Sequence, residues 1–210
     1  MAQRIYRILF LLFVIAGGIR LSAQTSDAGV WIVGSRLEET SVVEDNDDIT
    51  IDFDEDIGWG ISFNHFWTER FSTEIAAQKF GGDMTVGISS IEGELNFTAG
   101  ELDATSLTAL AQLHFRRATR FAPYVGAGLA HVWGEFDPVP DVEPVDETFD
   151  LEAETTWAAA VGANVRITER IFFVGEMKYI PWEALAEDDE DSERLDVNPL
   201  TFSAGVKVRF

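Results

Sequence analysis

The last ten residues, Thr201 to Phe210, alternate strictly in character. Phe202, Ala204, Val206, Val208 and Phe210 fall on one parity, and Thr201, Ser203, Gly205, Lys207 and Arg209 on the other. Successive side chains of a strand point to opposite faces, so this segment has one face suited to hydrocarbon and one suited to water. The split recurs in Thr156 to Ile167, where Trp157, Ala159, Val161, Ala163, Val165 and Ile167 oppose Thr156, Ala158, Ala160, Gly162, Asn164 and Arg166. It recurs again in Ser106 to Arg116, where Leu107, Ala109, Ala111, Leu113 and Phe115 oppose Thr108, Leu110, Gln112, His114 and Arg116. Val30 to Arg36, Ile57 to Trp67, Phe71 to Phe80, Phe121 to Phe136 and Ile171 to Trp182 complete a set of eight candidate strands.

The connections alternate in length. Thr68 to Arg70, Arg117 to Arg120 and Thr168 to Arg170 are tight turns, and stretches of roughly 14 to 25 residues join the other pairs. This pattern predicts an all-β fold, an eight-stranded antiparallel transmembrane β-barrel with short periplasmic turns and long extracellular loops. A soluble sandwich or lipocalin-like barrel would alternate too. Three features favour lipid over it. Most of the strands are about ten residues or longer, enough to cross a bilayer at a tilt of roughly 45°. Trp59, Trp67, Phe71, Phe115, Trp133, Trp157 and Phe210 stand near strand ends on the apolar face, as an interfacial girdle requires. The opposite face carries Asn64, Glu74, Gln78, Gln112, Glu176 and Lys178, among others, and is too polar for a soluble core.

The first residues have the form of a secretory signal: Arg4 and Arg7, an apolar run from Ile8 to Ala16, then small residues up to Ala23. That run is shorter than the roughly 20 apolar residues a spanning helix needs, so residues 1-23 read as a cleaved signal and 24-210 as the barrel. Without the signal the chain has 12 basic and 37 acidic residues, a net charge of −25, which argues against nucleic acid as a partner. The acids gather in Glu38 to Asp56, Glu135 to Glu154 and Glu183 to Asp196, which read as loops. There is no cysteine, hence no disulfide and no thiolate chemistry.

Three stretches carry a family resemblance: Phe121 to Trp133, containing Pro123-Tyr-Val-Gly-Ala-Gly128; Trp157 to Val165; and Arg194 to Phe210. Their order and spacing resemble the outer membrane protein W (OmpW) family over most of the mature chain. The resemblance implies an eight-stranded barrel in the outer membrane of a Gram-negative-type bacterium, passing small hydrophobic molecules. It further implies that barrel-assembly machinery reads Phe210 at the periplasmic rim. The loops here are far more acidic than is typical of that family.

With the tight turns placed in the periplasm, the inward residues sort by height. Phe80, Val132 and Ile180 lie near the outer end and, with Leu110, form the apolar lumen a solute would meet. Glu74, Gln112, Glu176 and Lys178 lie at mid-depth. Asn64, His114, Arg116, Arg166, Lys207 and Arg209 lie toward the periplasm. An apolar vestibule over a charged plug is the expected lumen, because eight strands enclose an interior that side chains nearly fill. One functional reading is that an apolar solute enters from outside, stops at the plug and leaves sideways into outer-membrane lipid. In the other, Glu74 and Glu176 pair with Lys178, Arg166 and neighbours to rigidify a closed barrel, since buried charges need partners, and the acidic loops meet cations or partners. The lumen glycines Gly58, Gly60, Gly126, Gly128, Gly162 and Gly205 either line a passage or relieve crowding.

No catalytic residue is expected. A serine activated by a histidine two residues away on one strand face is absent for His65, His114 and His131. The acidic runs Glu44 to Asp48 and Glu187 to Asp191 are candidates for Ca²⁺ or Mg²⁺, yet neither matches the EF-hand loop. No metal site and no cofactor are assigned.

Overall fold

The computed structural model describes residues 25–36, 40–44, 47–53, 56–90, 93–115, 120–138, 149–186 and 193–210. The expected signal segment, Arg116 and the run Glu187 to Asp191 lie outside them, as do the side chains of Glu44 to Asp48. Twelve strands are described: β1 (Ser26–Arg36), β2 (Thr40–Glu44), β3 (Asp47–Phe53), β4 (Ile57–Phe66), β5 (Phe71–Ser90), β6 (Gly93–His114), β7 (Phe121–Pro138), β8 (Phe149–Arg166), β9 (Ile171–Tyr179), β10 (Glu183–Ala186), β11 (Glu193–Asp196) and β12 (Leu200–Arg209).

Eight of these close into a ring in the order β1-β4-β5-β6-β7-β8-β9-β12, every pair antiparallel. The ring shuts where β12 meets β1. Asp27 lies opposite Arg209 and Arg36 opposite Leu200, and the Ser26 and Phe210 backbones exchange hydrogen bonds of 3.1 and 2.9 Å. From the turns up to Ala159 opposite Tyr179, closure leaves no sheet edge within the ring, the condition for strands in hydrocarbon.

At one end the turns are tight. Thr68 accepts the N–H groups of Arg70 and Phe71 at 3.2 and 3.0 Å, and Thr168 accepts those of Arg170 and Ile171 at 3.3 and 3.0 Å. The repeated Thr-Glu-Arg is therefore shared turn chemistry, in which a hydroxyl satisfies backbone donors. At the other end the expected long loops are largely strand. β5 and β6 stay paired out to Ser90 and Gly93, and the β2–β3 hairpin adds to upper β5 from Asp48 opposite Ser89 to Phe53 opposite Met84. Acidity concealed these extensions. Strands that rise clear of the bilayer have water on both sides, so their sequence need not divide into an apolar and a polar face. The first strand likewise begins at Ser26 rather than Val30.

Outward positions of the ring are apolar and exposed, among them Val30, Ile32, Leu129, Val161, Val206 and Val208. This band is bounded by aromatics: Trp59, Trp157 and Tyr179 toward the hairpin end, and Trp67, Phe71, Phe115, Phe121 and Phe210 at the turn end. A continuous exposed apolar band with aromatic rims is the surface that lipid requires. His65 and His131 belong to the same belts. They pack on Trp67 (4.6 Å between ring centroids) and Trp133 (5.6 Å) and bond Ser26 and Thr155.

The inward face is filled by setting a large side chain across from a glycine. Trp31 stands opposite Gly60 on β4 and Gly205 on β12, Tyr124 opposite Gly162, and Lys207 opposite Gly29. A Cβ at Gly60 would come within 2.5 Å of the Trp31 indole, and one at Gly162 within 2.5 Å of the Tyr124 ring. These glycines relieve crowding and line no passage. Gly60→Val is expected to displace Trp31 and to destabilise the barrel by about 1–3 kcal/mol, read as a lower midpoint of guanidinium unfolding in detergent.

Candidate functional site

The lumen holds two layers of different chemistry. From mid-depth toward the turn end, the ring sets two acidic side chains against two lysines, and all four are buried. Lys207 Nζ bonds Glu74 Oε2 at 2.6 Å, and Lys178 Nζ lies 3.2 Å from Glu176 Oε1. Tyr124 donates its hydroxyl to Glu176 Oε2 at 2.7 Å, and Lys178 also donates to Gln78 and Thr108 at 3.1 and 3.4 Å. The Lys207 ammonium lies 4.7 Å from the Trp31 ring centroid. Six strands thus contribute to one network, whose members are held because a buried charge must keep its partner.

Nearer the mouth at this end, Arg209 forks onto Asp27 at 2.8 and 3.1 Å and lies 4.0 Å from the Phe172 ring centroid. His114 meets Ser72 Oγ through Nε2 at 2.8 Å, and Asn64 donates to Gln112 at 3.2 Å. Glu74, Lys178, Lys207, His114 and Gln112 are all at most 1 % exposed, so this layer closes the barrel to through-passage.

The hairpin-end layer is apolar. Phe80, Leu102, Ala104, Val132, Ala158 and Ile180 form one buried cluster, with Met84, Phe136 and Leu151 packed against it. The chain leaving β9 turns inward at Ile180 and buries Trp182 over this cluster, where Trp182 comes within 3.2 Å of a Cβ built on Gly134. The returning strand fixes it there. Val197 N–H donates to Trp182 O at 2.9 Å, and Trp182 N–H donates to Asn198 Oδ1 at 3.3 Å. Asn198 takes the left-handed φ of 37° that this tight return imposes, a conformation asparagine tolerates.

Phe80, Val132 and Ile180 lie together in the apolar layer, and Glu74, Glu176, Lys178, Lys207 and His114 in the polar one. Leu110 belongs to the same buried apolar cluster, at the level where its register sets it opposite Glu74. One position needs correction. Arg166 is exposed at the end of β8 and takes no part in the buried network, because the barrel ends at that height. Glu74 and Glu176 pair instead with Lys207 and Lys178.

Sequence reasoning missed Trp31, Tyr124, Asp27 and Trp182. It also missed the Ser72–His114 pair, whose members stand on neighbouring strands rather than two apart on one strand. That pair is buried between Gln112, Phe66 and Tyr124. Among the described residues, no three histidine or acidic side chains converge on a metal-ligating arrangement.

A closed antiparallel ring, an apolar outer band with aromatic rims and a polar interior together define a bacterial outer-membrane β-barrel. The chain belongs to the outer membrane protein beta-barrel domain family, whose model matches residues 9–210. Among solved structures it is similar to the outer membrane protein OprG from Pseudomonas aeruginosa, with a TM-score of 0.69 and 15% identity over 90% of this chain and 96% of that one. It is also similar to Neisserial surface protein A, with a TM-score of 0.55 and 14% identity over 90% and 98%. The attachment invasion locus protein Ail of Yersinia pestis, in complex with the heparin analogue sucrose octasulfate, matches with a TM-score of 0.53 and 14% identity over 90% and 100%. At these identities the likeness is one of fold. No curated protein matches the chain in sequence.

Proposed function

We propose that this barrel, of the outer membrane protein W type, takes small apolar molecules from outside and releases them sideways into the bilayer. The observation that carries this reading is an interruption in the wall. β8 and β9 pair from Arg166 opposite Phe172 only as far as Ala159 opposite Tyr179, so the only described strand to which residues 149–158 of β8 are laddered is β7, while β10 lies beside β8 without a ladder to it. This one-sided stretch borders the apolar layer at Ala158, Ile180 and Trp182. Beneath it the charged layer blocks the axial route. A solute that displaced Trp182 would find hydrocarbon-like walls, a closed floor and a seam that begins at the Trp157–Tyr179 rim, the upper boundary of the lipid-facing band. Burial of an apolar solute in an apolar chamber is favourable in proportion to the area removed from water.

A second reading is a closed barrel that serves as a surface scaffold, and the complete burial of the outer cluster favours it. Entry of phenylnaphthylamine into intact cells, read as fluorescence when it reaches hydrocarbon, separates the two. The uptake reading expects faster entry in cells expressing the protein than in empty-vector cells, with the gain abolished by Phe80→Asp and Ile180→Asp, which place charge in the chamber. Entry equal to that of empty-vector cells leaves the scaffold reading.

A further inference from the structure

The turn end of the lumen collects arginines that the buried network does not use. The Arg166 N–H donates to Arg120 O, and the Arg209 N–H to Arg170 O, both at 2.8 Å. The His114 N–H donates to Arg70 O at 2.7 Å. Directly opposed residues of an antiparallel pair share a face, so Arg70 shares the lumen face of His114, Arg170 that of Arg209, and Arg120 that of Arg166. The backbones of these arginines therefore gather at the turn-end mouth, and Arg70, Arg120, Arg166 and Arg170 are exposed.

Like charges placed directly opposite one another are unfavourable, and here two arginine pairs stand so, Arg120 with Arg166 and Arg170 with Arg209. Arg209 has Asp27 as its partner. Among the described residues, Arg70, Arg120, Arg166 and Arg170 have no ion-pair partner, and the acids of the same turns, Glu69 and Glu169, bond none of them. The choice of base is uniform as well. The five described basic residues at the mouth itself, Arg70, Arg120, Arg166, Arg170 and Arg209, are all arginine. Arginine's planar fork binds phosphate-type oxyanions in a bidentate way that lysine does not match.

We infer that the periplasmic mouth is an oxyanion site, with Arg120 and Arg166 as its central pair and Arg70 and Arg170 flanking, and that it takes a phosphate-bearing ligand. The floor above it is shut by Phe66, Phe172 and the Glu74–Lys207 pair, so the ligand docks at the mouth and does not pass. This site is independent of solute uptake at the opposite end.

The test is calorimetric titration of inorganic pyrophosphate into the full barrel in phosphatidylcholine nanodiscs. Binding is expected, weakening as salt rises, since the site is exposed and screened. Arg120→Gln with Arg166→Gln is expected to weaken it about tenfold, because hydrogen bonds to charged groups are lost. Arg120→Lys with Arg166→Lys should recover only part of the affinity, and Arg36→Gln at the far end should leave it unchanged. Barrel integrity in each variant is checked by circular dichroism. Phosphatidylglycerol nanodiscs tell the source: loss of pyrophosphate binding there means that a phospholipid headgroup occupies the arginines, and unchanged binding means a soluble periplasmic phosphate. Absence of pyrophosphate binding in phosphatidylcholine, or equal binding by the glutamine variant, overturns the inference.

Discussion

Lys207→Met is expected to lower the unfolding free energy of the barrel by about 3 to 5 kcal/mol, the usual cost of removing one partner from a buried ion pair. The size of the effect follows from what stays behind. Glu74 is buried, Lys207 is its direct partner at 2.6 Å, and its other carboxylate oxygen has no hydrogen-bond partner. Methionine fills much of the lysine volume, so the loss is chiefly electrostatic rather than a cavity. The matched control is Glu74→Leu combined with Lys207→Met, in which both charges leave together. Replacing a whole buried pair by apolar groups of similar volume is often neutral, so the double variant should recover most of the loss. Guanidinium unfolding in detergent, followed by tryptophan fluorescence, measures both. A single variant costing no more than an exposed pair, under about 1 kcal/mol, would contradict the account of the lumen as a closed charged layer.

Much of the ring could be read from parity alone. The face split of Thr201 to Phe210 and of Thr156 to Ile167 assigns each side chain to lipid or lumen, and burial follows that assignment at Lys207, Thr201, Ser203 and Asn164. Parity gives no depth and no partner. The partner of Glu74 proved to be Lys207, 133 positions away. The pairing of Trp31 with Gly60 and Gly205 was hidden for the same reason, since each residue reads as ordinary until the register of β1 against both neighbours is known. Asp27 was missed because a polar residue at a strand start resembles the end of a loop. Here it is held in the lumen by Arg209, which closes the barrel from the other terminus of the chain. Trp182 was read as the last residue of a strand. Only the return of Val197 and Asn198 over it shows that the chain folds inward there.

Trp182→Ala is expected to accelerate entry of small apolar solutes while leaving the ring intact. Trp182 is fully buried, and its backbone is held to the returning segment by the bonds to Val197 and Asn198. Those are main-chain donors or acceptors of residue 182, so alanine keeps them and the inward turn should persist. What is lost is the indole, whose N–H has no partner and whose removal vacates space above Phe80, Val132 and Ile180. An apolar cavity of about 150 Å³ stays dry and accepts a benzene-sized molecule, and loss of an indole frees volume of that order. The truncation is also expected to cost about 3 to 5 kcal/mol, as for other buried aromatics. Uptake must therefore be compared with Trp182→Phe, which retains most of the packing and should stay near the parent rate. Phenylnaphthylamine entry into intact cells, at equal amounts of folded barrel judged by gel mobility without heating, gives the comparison. Faster entry with alanine, but not with phenylalanine, places the gate at Trp182. Equal entry for all three sequences would mean that the outer layer is packing alone, and the scaffold reading would then stand.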